Sequence, residues 1–306
     1  MSEEELQEEV LGNSLIDPRR YVKYQYDEQE KSYYTIDKIR LEIKTPNTDD
    51  GLKEAIDAVE KWTLGKLNTW QDNALGHYRN MFSFFFERED TSVVVGLAHV
   101  NGQGKTEKGR GFIEFNPNKV GKEGVALINH LKKSGARFSL VRFDLAIDFP
   151  ICRDTLRLVK DKRKYGCEIS SSMTEYLGQR NKAGRVKVYD KRVESQLDYD
   201  CSRVELTCDG KWTVEQILNH LPIVFHYSGN LFDGLQRMTK NYAIAVQALM
   251  AKGDTLEPWL DLVSNTQTKS QLRKAFGKQK ALFYSSECIR RSLVYVSDIA
   301  DGYWDE

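Results

Sequence analysis

Residues 142–149 have the sequence RFDLAIDF, in which polar and apolar side chains alternate. A β-strand turns successive side chains to opposite faces of its sheet. One face of this strand therefore carries Arg142, Asp144 and Asp148, and the opposite face is apolar. Aspartate is depleted in strands, so two aspartates in one short strand need an explanation.

Two further segments alternate in the same way, VKVYDK at residues 186–191 and RVEL at residues 203–206. Each predicts a strand with one apolar face and one charged face. The polar positions in and next to these segments are Arg185, Lys187, Tyr189, Lys191, Arg203 and Glu205. Mixed charges are normal on the solvent side of an antiparallel sheet. The alternative is a face that gathers carboxylates for a divalent cation, cations for phosphate, and a tyrosine. Spacing alone leaves both interpretations open.

Outward from these strands, β-rich and helical patterns interleave along the chain. Strands are expected over 39–44, 81–87, 92–100, 112–115, 140–149, 175–177, 185–191 and 202–208. Helices are expected from 49 or 50 to 62, and over 125–133, 155–165, 213–221, 238–251 and 270–280. Strands joined mostly as hairpins, with helices between them, predict an α+β fold built on an antiparallel sheet.

Three regions are expected from the change of pattern along the chain. Residues 1–35 are polar and tyrosine-rich and predict a loose arm, and residues 36–210 predict the α+β domain. Residues 211–306 predict a mostly helical region that either binds DNA or packs on the core. Its basic segment contains Lys269, Arg273 and Lys274, which suit phosphate contacts, although a solvated helix face explains them equally well.

The composition excludes several classes of protein. The chain has 306 residues, with 45 Lys and Arg against 45 Asp and Glu, and 11% aromatic residues, which excludes disorder throughout. Its longest apolar run, 93–98, is far shorter than the roughly 20 residues of a membrane helix. The five cysteines form no CxxC pair, and the N-terminus has no basic signal region. We therefore expect a cytoplasmic protein with reduced thiols and no membrane contact.

Motifs for other chemistries are missing from the sequence. The segment GQGKT at 102–106 lacks the first glycine of a phosphate-binding loop. The five histidines include no pair at spacing two or four, so neither a zinc helix nor a His-x-His strand is predicted. No Gly-x-Ser-x-Gly elbow occurs.

Four short segments together resemble the replication initiation factor family. They are RFDLAIDF at 142–149, TEYLGQR at 174–180, VKVYDKRVE at 186–194 and RVELT at 203–207. That family contains the Rep-trans initiators of rolling-circle plasmids, relatives in filamentous phages, and relaxases of some integrative conjugative elements. The resemblance covers roughly residues 80–210, and the segments occur in the family's order.

The resemblance implies an enzyme that nicks and rejoins one strand of origin DNA through a covalent 5′-phosphotyrosine. Tyr189 falls on the nucleophile position, and the acidic positions fall on Asp144, Asp148 and Glu205. It implies a sheet core of the Rep and relaxase nickase type, with Mg²⁺ or Mn²⁺ held by these carboxylates.

The charged residues of the three strands suit this chemistry. Lys187 and Lys191 are expected to favour the phenolate form of the tyrosine. The arginines on the polar face, Arg142, Arg185 and Arg203, are expected to contact single- or double-stranded origin DNA. A conjugative relaxase and a non-catalytic origin-binding protein remain alternatives. Whether a host helicase or a second copy of the chain takes part stays open.

Overall fold

The computed structural model describes residues 24–44, 67–70, 78–85, 92–100, 106–107, 110–119, 129, 137–169, 173–229, 260–261 and 263–301. The helices expected near 49–62 and 238–251 lie outside the described residues. The helix expected over 125–133 does so too, except for residue 129, which is helical.

Antiparallel strands dominate the described part of the chain. The first eight are β1 (Gln25–Asp27), β2 (Ser32–Lys44), β3 (Leu67–Trp70), β4 (Tyr78–Phe85), β5 (Ser92–Val100), β6 (Thr106–Glu107), β7 (Arg110–Phe115) and β8 (Arg137–Phe149). The others are β9 (Leu156–Leu158), β10 (Tyr165–Ile169), β11 (Met173–Leu177), β12 (Val186–Asp190), β13 (Ser202–Asp209), β14 (Val224–Tyr227) and β15 (Gln279–Ala281). The helices are α1 (Lys191–Ser195), α2 (Val214–His220), α3 (Thr266–Phe276) and α4 (Ser286–Asp301).

A large sheet carries the strands that the sequence singled out. Its order is β10-β11-β12-β13-β8-β2-β7-β5-β4-β3, with β1 paired to β2 and β6 paired to β5. A smaller sheet has the order β15-β14-β9. Every described strand pair is antiparallel, which confirms the α+β class with an antiparallel sheet.

The alternation in β8 places its apolar side chains in the core. Phe143 is 1% exposed, and Leu145, Ile147 and Phe149 are fully buried. Helix α4 packs against β2 and β8 and buries Ile289, Val296 and Ile299, which recur at helical spacing. Helix α4 therefore covers the apolar face at β2 and β8, and the charged side chains of β8 lie on the opposite face.

The loose arm expected over residues 1–35 does not extend through residues 25–35, which belong to β1, β2 and the turn between them. Tyr34 is completely buried, and its hydroxyl accepts a hydrogen bond from the Ser285 amide at 2.7 Å. A tyrosine is a large apolar body with one polar atom, so a tyrosine-rich segment can enter a core when that atom is paired.

Two of the expected helices are also corrected. Residues 153–155 form a short 3-10 turn and 156–158 form β9, where a helix over 155–165 was expected. Leu156 and Leu158 are both buried because β9 pairs with β14, a strand far along the chain. Helix α3 stops at Phe276, since Gly277 adopts a positive φ of 63° and β15 follows. Helix α4 was not predicted at all.

In the part of the chain that the structure describes, no helix has the length and apolar character of a membrane span.

Candidate functional site

The strand register brings the three predicted segments together at the centre of the polar face. Strand β13 lies between β12 and β8. Lys187 of β12 is directly opposite Glu205 of β13, and Tyr189 is opposite Arg203. On the other side of β13, Thr207 is opposite Asp144 of β8. Most of the site residues expected on these strands are thus neighbours in space.

Tyr189 is held against a carboxylate and a lysine. Its side chain is 4% exposed, and its hydroxyl donates a hydrogen bond to Oε2 of Glu205 at 3.4 Å. The ammonium of Lys187 lies over the ring, 3.6 Å from the centroid. Burial raises the pKa of Tyr189 above its ordinary value of 10, the Arg203 charge partly opposes this rise, and the Glu205 carboxylate adds to it. The free protein therefore holds a neutral phenol, so its ionisation needs a proton acceptor.

Glu205 is suited to accept that proton. The pKa of its carboxyl is raised to about 7, mainly by burial and then by the charges of Asp144 and Asp37, which outweigh the opposite effect of Lys187 and Arg203. A carboxyl with this pKa is partly ionised at neutral pH, which is the range in which a general base is effective. Its contact with the tyrosine oxygen gives the proton a direct path.

Asp144 is the second unusual carboxyl on this face. Its side chain is 8% exposed, and burial raises its pKa although a hydrogen bond from Thr207 and the charges of Lys38 and Arg142 lower it. Its buried Oδ1 has no hydrogen-bond partner in the described part of the chain. A buried carboxylate oxygen without a hydrogen-bond partner is unfavourable, and binding a proton or a cation would satisfy it.

Asp144 could hold a magnesium-type ion through its carboxylate. The residues that the structure describes contain no cluster of three or more His, Cys, Asp or Glu side chains arranged for a metal. Mg²⁺ does not need such a cage, because it commonly binds one or two carboxylates, several waters and substrate phosphate oxygens. Asp144 could supply one such carboxylate through its unpartnered Oδ1, whereas Glu205, also predicted as a ligand, lies against the Tyr189 hydroxyl.

Asp148, the third expected metal ligand, is already engaged. Its Oδ1 and Oδ2 accept hydrogen bonds from Nε and Nη2 of Arg203 at 2.6 and 2.7 Å. Nη1 of Arg203 donates to Asp37 at 2.8 Å. Arg203 is 4% exposed, so it is an internal charge partner of two carboxylates. The geometry therefore disfavours Asp148 as a metal ligand and Arg203 as a DNA contact.

Arg142 belongs to a second ion-pair group on the same face. Glu114 of β7 accepts hydrogen bonds from Arg40 at 2.7 Å and from Arg142 at 3.1 Å. Although burial raises the pKa of Glu114, the charges of Arg40, Lys38 and Arg142 outweigh it, and the pKa is lowered. Sequence reasoning missed Asp37, Lys38 and Arg40 of β2 and Glu114. The alternation IRLEIK at 39–44 was visible, but its place beside β8 was not.

Lys191 is not on the strand face where the alternation placed it. Strand β12 ends at Asp190, whose carboxylate caps helix α1 by accepting the Val193 amide at 3.1 Å. Lys191 is the first residue of that helix and pairs with Glu194 at 2.6 Å. The sequence signal for this change was Asp190 itself, since aspartate is a preferred N-cap residue.

The basic segment near the C-terminus is partly neutralised. Lys269 and Arg273 of α3 both pair with Asp261, at 2.5 and 3.0 Å. Lys274 is exposed on the same helix. The expected DNA contacts of this helix remain a prediction, with Lys274 the best placed of the three.

No protein-family model matches the chain, and no curated protein matches it. Among solved structures it is similar to a rolling circle replication initiator protein from Geobacillus stearothermophilus. That match has 12% sequence identity and a TM-score of 0.34, and covers 87% of this chain and 96% of the other.

Proposed function

We propose that the protein is a DNA strand nickase that initiates rolling-circle replication, with Tyr189 as its nucleophile. The observation that carries the proposal is the contact between the Tyr189 hydroxyl and Glu205, a carboxyl whose pKa is about 7. The four family-like segments add the reaction class, because Tyr189 falls on their tyrosine position.

The residues divide the reaction between them. Glu205 takes the proton of Tyr189 as the phenol oxygen attacks the phosphorus of a DNA phosphodiester. The bond from phosphorus to the 3′-oxygen breaks, and that oxygen leaves as a 3′-hydroxyl after taking a proton from water. The 5′-phosphate stays covalently on Tyr189, so the phosphodiester energy is conserved and rejoining is the same step in reverse.

The surrounding charges support this step. Lys187, over the tyrosine ring, is placed to move onto an incoming phosphate and uncover the buried hydroxyl. Arg203 lies beside the tyrosine and lowers the cost of its ionisation. A divalent ion held by Asp144 would stabilise negative charge on the scissile phosphate and would leave Glu205 free to accept the proton.

A non-catalytic DNA-binding protein is the second candidate, favoured by one observation. Tyr189 is only 4% exposed, so its oxygen reaches DNA only after a rearrangement. A binder that keeps the charged face but never opens it would shift DNA without cutting it.

Covalent trapping separates these two functions. The full chain is incubated with Mn²⁺ and a labelled single-stranded oligonucleotide from its own origin, and is then run on a denaturing gel. We expect a protein–DNA adduct whose label maps to Tyr189, and no adduct from Tyr189→Phe. Tyr176→Phe is the matched control, since it removes a tyrosine hydroxyl from the adjacent strand β11 and should still form the adduct. An adduct that persists in Tyr189→Phe would show that the nucleophile is another residue. DNA binding without any adduct would favour the non-catalytic protein.

A further inference from the structure

A second feature of the polar face lies towards the edge of the sheet. It is a cavity of about 360 Å³ lined by residues of β10, β11 and the turns beside them. The lining residues that matter here are Lys164, Gly166, Tyr176, Arg180 and Arg185. Apart from the DNA contact expected of Arg185, none of the roles assigned above falls on these residues.

The register connects the cavity to the tyrosine site. Gly166 of β10 is opposite Tyr176 of β11, Tyr176 is opposite Lys187, and Lys187 is opposite Glu205. These four positions form one row across four neighbouring strands. Adjacent strands are about 4.8 Å apart, so Tyr176 is about 10 Å from Glu205 along the row. A strand of DNA at the tyrosine site can therefore reach the cavity within a few nucleotides.

The floor of the cavity is open because residue 166 is glycine. A Cβ atom at this position would meet no other atom within 4 Å. In a strand, glycine gives up side-chain packing and costs stability, and it often marks a place where a ligand approaches the backbone. The missing side chain leaves room for a flat group beside the Tyr176 ring.

The Tyr176 ring is held in place before any ligand arrives. Its hydroxyl donates a hydrogen bond to Glu168 at 3.1 Å, and the Arg185 guanidinium lies 4.9 Å from its ring centroid. A ring that is fixed in this way loses little conformational entropy when a base stacks on it.

The charge of the lining also selects the ligand. Lys164, Arg180 and Arg185 contribute three cations, and the lining of this cavity includes no acidic residue. Lys164 and Arg180 form no ion pair within the described residues. Proteins that bind single-stranded nucleic acid combine cations with an aromatic ring: the basic groups contact the phosphates, and the bases stack on the ring.

We propose that this cavity binds one nucleotide of single-stranded DNA, with its base over Gly166 against the Tyr176 ring and its phosphate among Lys164, Arg180 and Arg185. The choice of DNA as the polymer rests on the proposed function, whereas the cavity and its charge do not. The subsite would hold the strand in register for attack at Tyr189.

Filling the cavity tests the proposal without disturbing the fold. Gly166→Val adds a β-branched side chain into open space, so its unfolding midpoint in urea should equal or exceed that of the wild type. Binding of a fluorescein-labelled oligothymidylate, followed by anisotropy, should weaken on the order of tenfold in Gly166→Val and in Tyr176→Leu. Tyr176→Phe keeps the ring but loses its hydrogen bond to Glu168, so it should bind more weakly than the wild type and more tightly than Tyr176→Leu.

The outcomes separate this inference from the proposed function. If Gly166→Val and Tyr176→Leu bind oligothymidylate as tightly as the wild type, the subsite is wrong, even when the wild type forms its Tyr189 adduct. If binding depends on both residues but no adduct ever forms, the subsite stands and the nicking activity fails. Absence of oligothymidylate binding by the wild type at low salt would also overturn the subsite.

Discussion

Replacing Glu205 with glutamine should change how the stability of the protein depends on pH. Glu205 has a pKa of about 7 in the folded protein, against an ordinary value of 4.5, mainly because it is buried and lies near Asp144. The folded protein therefore holds this proton more tightly than the unfolded chain does. The stabilisation from the protonated carboxyl is fully present below the unfolded pKa and is lost as the pH rises through about 7.

The size of the effect follows from the two pKa values. Between about pH 5.5 and about pH 8, a carboxyl with these values removes about 2 kcal/mol from the free energy of unfolding. Glutamine has nearly the same shape and does not titrate, so Glu205→Gln should lack this loss. At the higher pH the variant should have a larger free energy of unfolding than the wild type. The gain is reduced by the loss of the attraction between the carboxylate and Lys187 and Arg203.

Urea denaturation at the two pH values measures this difference directly. The control is Glu215→Gln, which alters an exposed glutamate on α2 and should follow the wild type at both pH values. If Glu205→Gln loses as much stability between the two pH values as the wild type does, Glu205 does not carry the raised pKa, and its assignment as the proton acceptor of Tyr189 fails with it.

Three further predictions concern charges on the same molecule. The rate of adduct formation should rise with pH and level off above about 7, as Glu205 ionises, and a flat profile in a timed gel assay would argue against that base. Arg203→Met should lower the free energy of unfolding by about 3–5 kcal/mol, because it leaves Asp148 without its buried partner; a loss below about 1 kcal/mol in urea would contradict the pairing. Lys274→Gln should reduce the salt slope of duplex binding by about 0.9, and Lys269→Gln by less, because Lys269 already pairs with Asp261; slopes equal to that of the wild type in both variants would remove α3 from the DNA contacts.

Local alternation predicted the polar face well, because strand geometry alone decides which side chains share a face. The sequence of 142–149 predicts a buried apolar face and a charged face, and both are found in β8. Alternation stops being informative where the chain leaves the strand. Lys191 continues the alternation in the sequence, yet Asp190 caps helix α1 and Lys191 is the first residue of that helix, so it is not on the polar face of β12.

Long-range pairing could not be predicted from the same patterns. Strand β2 lies beside β8, although about 100 residues separate them. Nothing in the sequence of either strand indicates that the other is its partner. The segment 155–165 shows the same limit, since Leu156 and Val159 suit a helix until β14 supplies a strand partner. A short apolar run adopts the structure that its distant neighbour allows.

The irregularity in β2 lies where a second carboxylate meets Arg203 on the polar face. The register of β2 against β8 shifts between Ile36 and Lys38, and Asp37 lies in this shift. Arg203 pairs with Asp37 as well as Asp148, so one buried guanidinium balances the charge of two carboxylates only in part.

Glu114 is neutralised in a similar way by its own arginines, and its pKa is lowered. Asp144 and Glu205 are left with raised pKa values on the same face. Buried, mutually repelling carboxyls cost stability, and proteins keep such arrangements mainly where chemistry uses them. This cost, beside a tyrosine that needs a proton acceptor, is the strongest physical argument for placing the reaction at this point of the sheet.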